Sequence, residues 1–502
     1  MVSQIKNRIG LYFGINLLFV GLLAVGYAIG GAQNPRIFYL VLLFALCSTS
    51  AIDLDGYNAR YALLAIFLGM YFVYFGVQDV SNLFDGISSD SFTGAVSPGE
   101  AVILIGGLML VIGYRVAVGI LRPVGQVSQS FDWSMRSTLL VGIGLWLLGT
   151  LSTYFWYFYV VTDKSLEGTK GIALLSPALT AALILAQILQ PLGILLLAYA
   201  WTSTRSVFFL GILLFTIFVQ VLFGFVIDIK GMALSGGSLV IATIIFADGR
   251  LPKVWIAGTA IFVFLAFPVF QAYRAVVTGN GVARTQVLDN LGQTLDLVLA
   301  AKDRVNNGRE RAQTIFERLS MKSSVVMIVN GTANGIPFQH GYTLTPVLAA
   351  FVPKILWPSK PDVATGRILN QVFHLADQAE VYISPSHLGD LYWNFGWPGV
   401  LVGMTLIGAI CGFTARFNPA ECRTVTRLLV MVVTIELLIH GFESSLAGSY
   451  VVWQRTMAAV GLLHLMLARV RVTDRRPSQD ARSSDAAPVP SPALRLFPNL
   501  LN

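Results

Sequence analysis

Charge is what this chain has least of. Only 12% of its 502 residues are Asp, Glu, Lys or Arg, while 55% are hydrophobic, and the mean hydropathy is +0.70. Soluble domains carry about 25% charged residues, so this composition excludes one. Cysteine is almost absent: Cys47, Cys411 and Cys422 show no disulfide or zinc-site spacing, which sets aside redox and metal chemistry on sulfur. No P-loop is present and no GxGxxG follows a strand, so nothing points to a nucleotide cofactor or to nucleic acid. The acidic spacing at Asp53 and Asp55 reads as a solvated turn or, alternatively, as a pair able to hold a metal.

Long apolar runs take the place of charge. Crossing a hydrocarbon core of about 30 Å takes roughly 20 residues, and a spanning helix must satisfy its own backbone. Runs at 11–29, 36–52, 58–78, 99–121, 137–160, 172–201, 206–227, 232–248, 252–271, 397–415, 424–441 and 448–468 meet or approach that length. The expected fold is an all-α polytopic membrane protein with about twelve transmembrane helices. The first run has no small-residue cleavage site after it and reads as a retained helix. With the N-terminus inside, the cytoplasmic loops hold Arg60, Arg122, Arg205, Arg250 and Arg416, and the opposite loops hold Asp79, Asp85 and Asp90. That bias matches the positive-inside rule, with both termini cytoplasmic.

This threading divides the chain into a bundle of about nine helices at 1–271, a large extracytoplasmic loop at 272–396, C-terminal membrane helices at 397–470, and a tail at 471–502. The tail is rich in Pro, Ser and Ala and reads as disordered. Inside the large loop, 284–304 and 309–330 have helical apolar spacing. The Pro-broken "LTPVLAAFVPKILWPSKPD" suits a segment lying on the membrane surface or re-entering it. Bases outnumber acids in this loop, against the topological trend. An anionic ligand explains that, and so do solvated helix faces, the reading that suits Lys302 to Lys322.

Several residues carry candidate chemistry. Two prolines stiffen the chain around Lys360 beside Trp357; this suits phosphate binding or an interfacial Trp with a snorkelling Lys. Arg367 follows in a loop able to present a bidentate guanidinium to a diphosphate, and Arg274 emerges where the ninth helix reaches the outer surface. Both equally suit interface anchoring. In "SHLGDLYWNFGWPG", 386–399, Ser386 can cap a short helix, Gly396 can end it and Pro398 can open the next span. Trp393 and Trp397 would then lie at the interface. His387 and Asp390 remain as a possible proton acceptor pair. Glu436 and His440 share a face near the outer end of the eleventh helix, Glu443 follows in the turn, and Arg455 lies about 10 Å into the twelfth. Ionisable groups at such depth point to function, or to a structural Glu436–Arg455 ion pair.

Two of these segments carry a resemblance. "FVPKILWPSKPDVATG", 351–366, is similar to the proline-flanked P-x-x-x-W-P-x-K-P of bacterial polysaccharide repeat-unit polymerases of the Wzy type, which are related to O-antigen ligases. "SHLGDLYWNFGWPGVLVG", 386–403, is similar to their G-[ED]-x-Y-x-N-F-G-x-x-G. No outer-loop arginine starts the R-x10-G pattern of some polymerases, which leaves open which arginines act. His387 lacks the spacing of the ligases, which weakens the ligase reading.

The resemblance implies a GT-C-like inner-membrane glycosyltransferase that joins undecaprenyl-diphosphate-linked repeat units at the outer face, without cofactor or metal. Arg274, Lys360 and Arg367 would hold the departing diphosphate, and Arg455, Tyr392 and Trp357 would complete the substrate contacts. Asp390, His387 or Glu443 would take the acceptor proton. The implied partners are the lipid-linked oligosaccharide, membrane lipid, and a chain-length regulator and flippase of the same pathway. A flippase from a different class should show paired repeats with broken helices. Only "AQILQPLG", 186–193, is Pro-broken and polar, and it has no mate in the other half.

Overall fold

The computed structural model describes residues 2–30, 36–49, 59–85, 96–120, 130–160, 176–226, 230–248, 252–279, 316–317, 319–350, 352, 357, 365–375, 383–416, 424–467 and 469–471. In chain order the elements are α1 (Val2–Gly30), α2 (Ile37–Ser48), α3 (Ala59–Phe75), α4 (Val77–Asp85), α5 (Pro98–Ile120), β1 (Ser130–Asp132), α6 (Met135–Phe155), α7 (Pro177–Gln187), α8 (Leu189–Thr204), α9 (Val207–Val226), α10 (Lys230–Asp248) and α11 (Lys253–Gly279). They continue with α12 (Lys322–Ala333), α13 (Thr345–Ala349), α14 (Thr365–Phe373), α15 (Ser386–Arg416), α16 (Val425–His440), α17 (Leu446–Leu467) and β2 (Arg469–Arg471).

A helix occupies each of the twelve apolar runs. Among the described residues six helices are long and apolar enough to cross a membrane, or seven if α3 and α4, bent by 46° at Gly76, form one span. The architecture is that of a helical membrane protein. One short ribbon accompanies the helices: β1 and β2 pair antiparallel, Phe131 opposite Val470, a contact between distant loops that periodicity along either one cannot reveal.

Local signals account for the helix starts. Ser134 caps α6 by accepting from Ser137 N, and Ser176 caps α7 with Pro177 following. At α5 the "SPGE" sequence forms a reciprocal capping box: Ser97 N donates to Glu100 Oε2 at 2.7 Å, and Glu100 N donates to Ser97 Oγ at 3.3 Å. Pro191 cannot donate to the carbonyl of Gln187, and the helix breaks at Ile188 between α7 and α8. There Gln190, buried, donates to Thr150 Oγ1 of α6 at 3.0 Å.

The most extensive helix pair is α5 with α15. A side chain at Gly113 would meet the backbone of Thr405, and one at Gly408 the backbone of Leu110; such close approach through small residues is how membrane helices associate without a hydrophobic driving force. Leu110 lies by Gly408 and Tyr114 by Gly412, so the two helices run parallel. Helices α6 to α10 form a second group, and α16 packs against both α15 and the α8–α10 pair.

The described part of the large loop caps one end of the bundle. Val326 of α12 sits on Gly99 in the first turn of α5, and residues 339–343 bind α15. Of the expected helix at 309–330, the structure describes a turn near Phe316 and α12. Segment 284–304, the Asp53–Asp55 turn, Lys360 and the tail from 472 lie outside the described residues.

Candidate functional site

The connection between α16 and α17, residues 441–445, lies at the capped end and is fixed from three sides. Phe442 is 2% exposed and enters an aromatic nest on α3, with ring centroids 4.9 Å from Phe67, 5.1 Å from Tyr74 and 5.6 Å from Tyr71. His387 N donates to Gly441 O at 2.9 Å. Asp390 Oδ2 accepts from Leu446 N, the first residue of α17, at 3.0 Å. A carboxylate on a helix N-terminus meets both unpaired N–H groups and the positive end of the helix dipole.

Asp390 is fully buried and its other oxygen is equally occupied. Oδ1 accepts from Thr343 Oγ1 at 2.6 Å and from Asn394 Nδ2 at 3.0 Å. Asn394, also fully buried, donates to Thr343 Oγ1 at 2.6 Å and accepts from Gly341 N at 2.9 Å. Asp390 thus fastens the cap to α15 and both to α17. His387 is 4% exposed, so neither member of the expected proton acceptor pair is presented to the exterior.

The sequence-predicted helix is present, with its start and stop as expected. Ser386 Oγ accepts from Gly389 N at 3.2 Å, and Gly396, at φ 62 and ψ −144, breaks the helical path before Pro398. Trp393 is not an interfacial residue. It is fully buried among Ile328 and Leu369, with its ring 5.7 Å from Phe373, because α12 and α14 cover that face of α15. Trp397, 38% exposed, stays at the surface.

The imidazole of His387 packs against Gly441, where any side chain would collide with the ring. Its Nε2 is buried with no hydrogen-bond partner. His440, one residue before, and Glu443, two after, are both exposed. Glu443 is held by Tyr74, whose hydroxyl donates to Oε1 at 2.9 Å. His387, Asp390 and Glu443 are therefore brought to one turn, but only Glu443 offers a carboxylate to the exterior.

A second polar cluster stands at the same end. Lys322 Nζ donates to Asp79 Oδ2 and to Glu100 Oε1, both at 2.6 Å, and lies 4.6 Å from the ring centroid of Tyr39. Arg36 Nε is 3.4 Å from the same Glu100 oxygen. Side-chain exposure is 12% for Lys322, 10% for Asp79, 5% for Arg36 and 1% for Glu100. Lys322 is thus no solvated helix face, and Asp79 is a helix residue, not a loop acid. The cluster is not legible in sequence because Asp79 and Glu100 lie 243 and 222 residues from Lys322. The capping box at Ser97 to Glu100 was the one local signal.

The other predicted residues lie on several elements. Arg274 lies in α11, while Arg367 is half-buried near the start of α14. Trp357 is 38% exposed. Tyr392 is half-buried between Phe338 and Trp397, with ring centroids 6.1 Å away in each case. Arg455 lies on α17 and makes no ion pair with Glu436 among the described residues, so that structural pairing is absent. Among the described residues no three His, Cys, Asp or Glu side chains group as metal ligands.

Residues 193–421 match a family model described as a domain of unknown function, DUF8712. The match runs from α8 through α15 and ends before α16 and the Glu443 turn. No curated protein and no solved structure matches the chain.

Proposed function

We propose that the protein is a membrane glycosyltransferase that polymerises lipid-linked oligosaccharide repeat units. Twelve spans in a GT-C-like arrangement, both termini cytoplasmic and the capped end facing outward from a bacterial inner membrane, complete the reading. The single observation that carries it is the Glu443 turn: an exposed carboxylate beside an exposed histidine, held by a tyrosine and joined to α15, which carries the second of the two segments that resemble the polymerase motifs. The β1–β2 ribbon supports the threading, since it joins the loop after α5 to the chain after α17 at the opposite end.

In this reading the acceptor sugar hydroxyl attacks the anomeric carbon of the donor. The carbon–oxygen bond to the diphosphate breaks, undecaprenyl diphosphate leaves, and the hydroxyl proton passes to Glu443. A positioned base contributes about 10² to 10⁴-fold. Fixed cations near the leaving oxygens add several kcal/mol, on the order of 3; Arg274, Lys360 and Arg367 are the candidates, with Arg455, Tyr392 and Trp357 as further substrate contacts. His387 and Asp390 hold the turn. Membrane lipid, a flippase that delivers the units and a chain-length regulator are the proposed partners.

The test is purified protein supplied with synthetic undecaprenyl-diphosphate repeat units, with product length read on a gel. Lengthening is the expected result. Transfer only to a different acceptor would move the reading to a ligase, and lipid translocation with no covalent product would refute both.

A further inference from the structure

Lys322 sits beside a second contact that links it to the Glu443 turn. Its neighbour Met321 donates its N–H to the carbonyl of Tyr74 at 2.9 Å, and the Tyr74 hydroxyl holds Glu443 at 2.9 Å. Tyr74 belongs to the last turn of α3, just before the 46° bend at Gly76, and Asp79 follows that bend in α4. Lys322 therefore ties the α4 side of the bend to α5 through Asp79 and Glu100, while the residue before it ties down Tyr74 on the α3 side.

The cluster is built for position. One ammonium serves two carboxylates at 2.6 Å, the guanidinium of Arg36 balances the second negative charge, and all four side chains are nearly enclosed. A buried lysine with this geometry cannot shift without leaving two carboxylates desolvated beside a single cation. Of the groups it holds, Asp79 lies just past the α3–α4 bend, and on the other side of that bend Tyr74 reaches the exposed carboxylate.

We infer that Lys322 is a positioning residue: through the α3–α4 bend and Tyr74 it fixes the Glu443 turn, 369 residues from Tyr74 in sequence, in its working geometry. The inference rests on the proposed transferase reading for its catalytic consequence and on the hydrogen bonds alone for its structural one. Lys322 touches no substrate in this scheme.

Hydrogen exchange of the full-length protein in detergent separates the two. The amides of Gly441, Phe442, Glu443 and Leu446 are bonded to Leu437 O, Ile439 O, His440 O and Asp390 Oδ2 and exchange slowly while the turn is held. Lys322→Met should accelerate them about tenfold, and Lys322→Arg should restore near wild-type exchange. Tyr74→Phe, which keeps the Met321 bond, should accelerate 441–446 while leaving 319–333 unchanged. In the transfer assay Lys322→Met should lower kcat about tenfold with KM held, because geometry is lost and binding is not. If Lys322→Met does not fold, Asp79→Asn carries the same test. Unchanged exchange at 441–446 in a folded variant overturns the inference, as does an unchanged kcat in an active enzyme. A wild-type protein with no transfer activity removes the transferase reading only, since exchange still decides the positioning role.

Discussion

Two buried polar clusters sit at one end of this bundle and solve the same problem in opposite ways. Around Lys322, charge is neutralised by charge: two carboxylates face an ammonium and a guanidinium. Around Asp390, with no cation in its contacts, a carboxylate is satisfied by neutral donors alone, namely Thr343, Asn394 and the first N–H of α17. The first arrangement fixes helices of the first half to the cap and requires only that charges balance. The second fixes a loop, a helix start and the cap at once, and requires each donor to meet an oxygen.

The difference predicts unequal responses to substitution. Lys322→Met leaves uncompensated buried charge and should destabilise by about 3 to 5 kcal/mol, read as a lowered thermal midpoint in detergent. Adding Asp79→Leu to it should recover much of that loss, since Arg36 then balances Glu100 alone. A double variant no better than the single one would break the charge-balance account.

Asp390→Asn has no such remedy. Its amide nitrogen must face either Leu446 N–H or the Thr343 and Asn394 donors, leaving one bonded donor against another. The expected cost is about 2 to 3 kcal/mol, with faster exchange at Leu446. Wild-type stability in Asp390→Asn would show that the network is not what closes the turn.

A smaller effect tests the join between α15 and the turn. Gly441→Ala places a methyl on the His387 ring and should cost about 1 to 3 kcal/mol, with His387→Ala in the same chain relieving most of it. Failure of that rescue would mean the contact is not the constraint.

The sequence made the helices legible because each is written in a contiguous apolar run with local punctuation. Ser386, Gly396 and Pro398 announced the short helix of α15 and its kink, and Pro191 announced the break before α8. The same reading placed Trp393 at the interface and left Lys322 on a solvated face. Both errors have one cause: α12 and α14 fold back over α15 and α5, and the groups they cover are identified only by residues far away in sequence. His387, Asp390 and Glu443 were visible as ionisable residues in a chain that has few. Their division into two buried holders and one exposed acid was not, because it depends on Thr343, Gly441, Leu446 and Tyr74, all of which look unremarkable in sequence.

That division is the centre of the account, and one measurement addresses it most directly: repeat-unit transfer by Glu443→Gln, beside its thermal midpoint. The account predicts a loss of about 10² to 10⁴-fold in kcat with the midpoint held near wild type, since the amide keeps an oxygen for Tyr74 and no buried group is exposed. Full transfer by Glu443→Gln, in a protein whose wild type lengthens the glycan, would contradict it and return the proton to another acceptor.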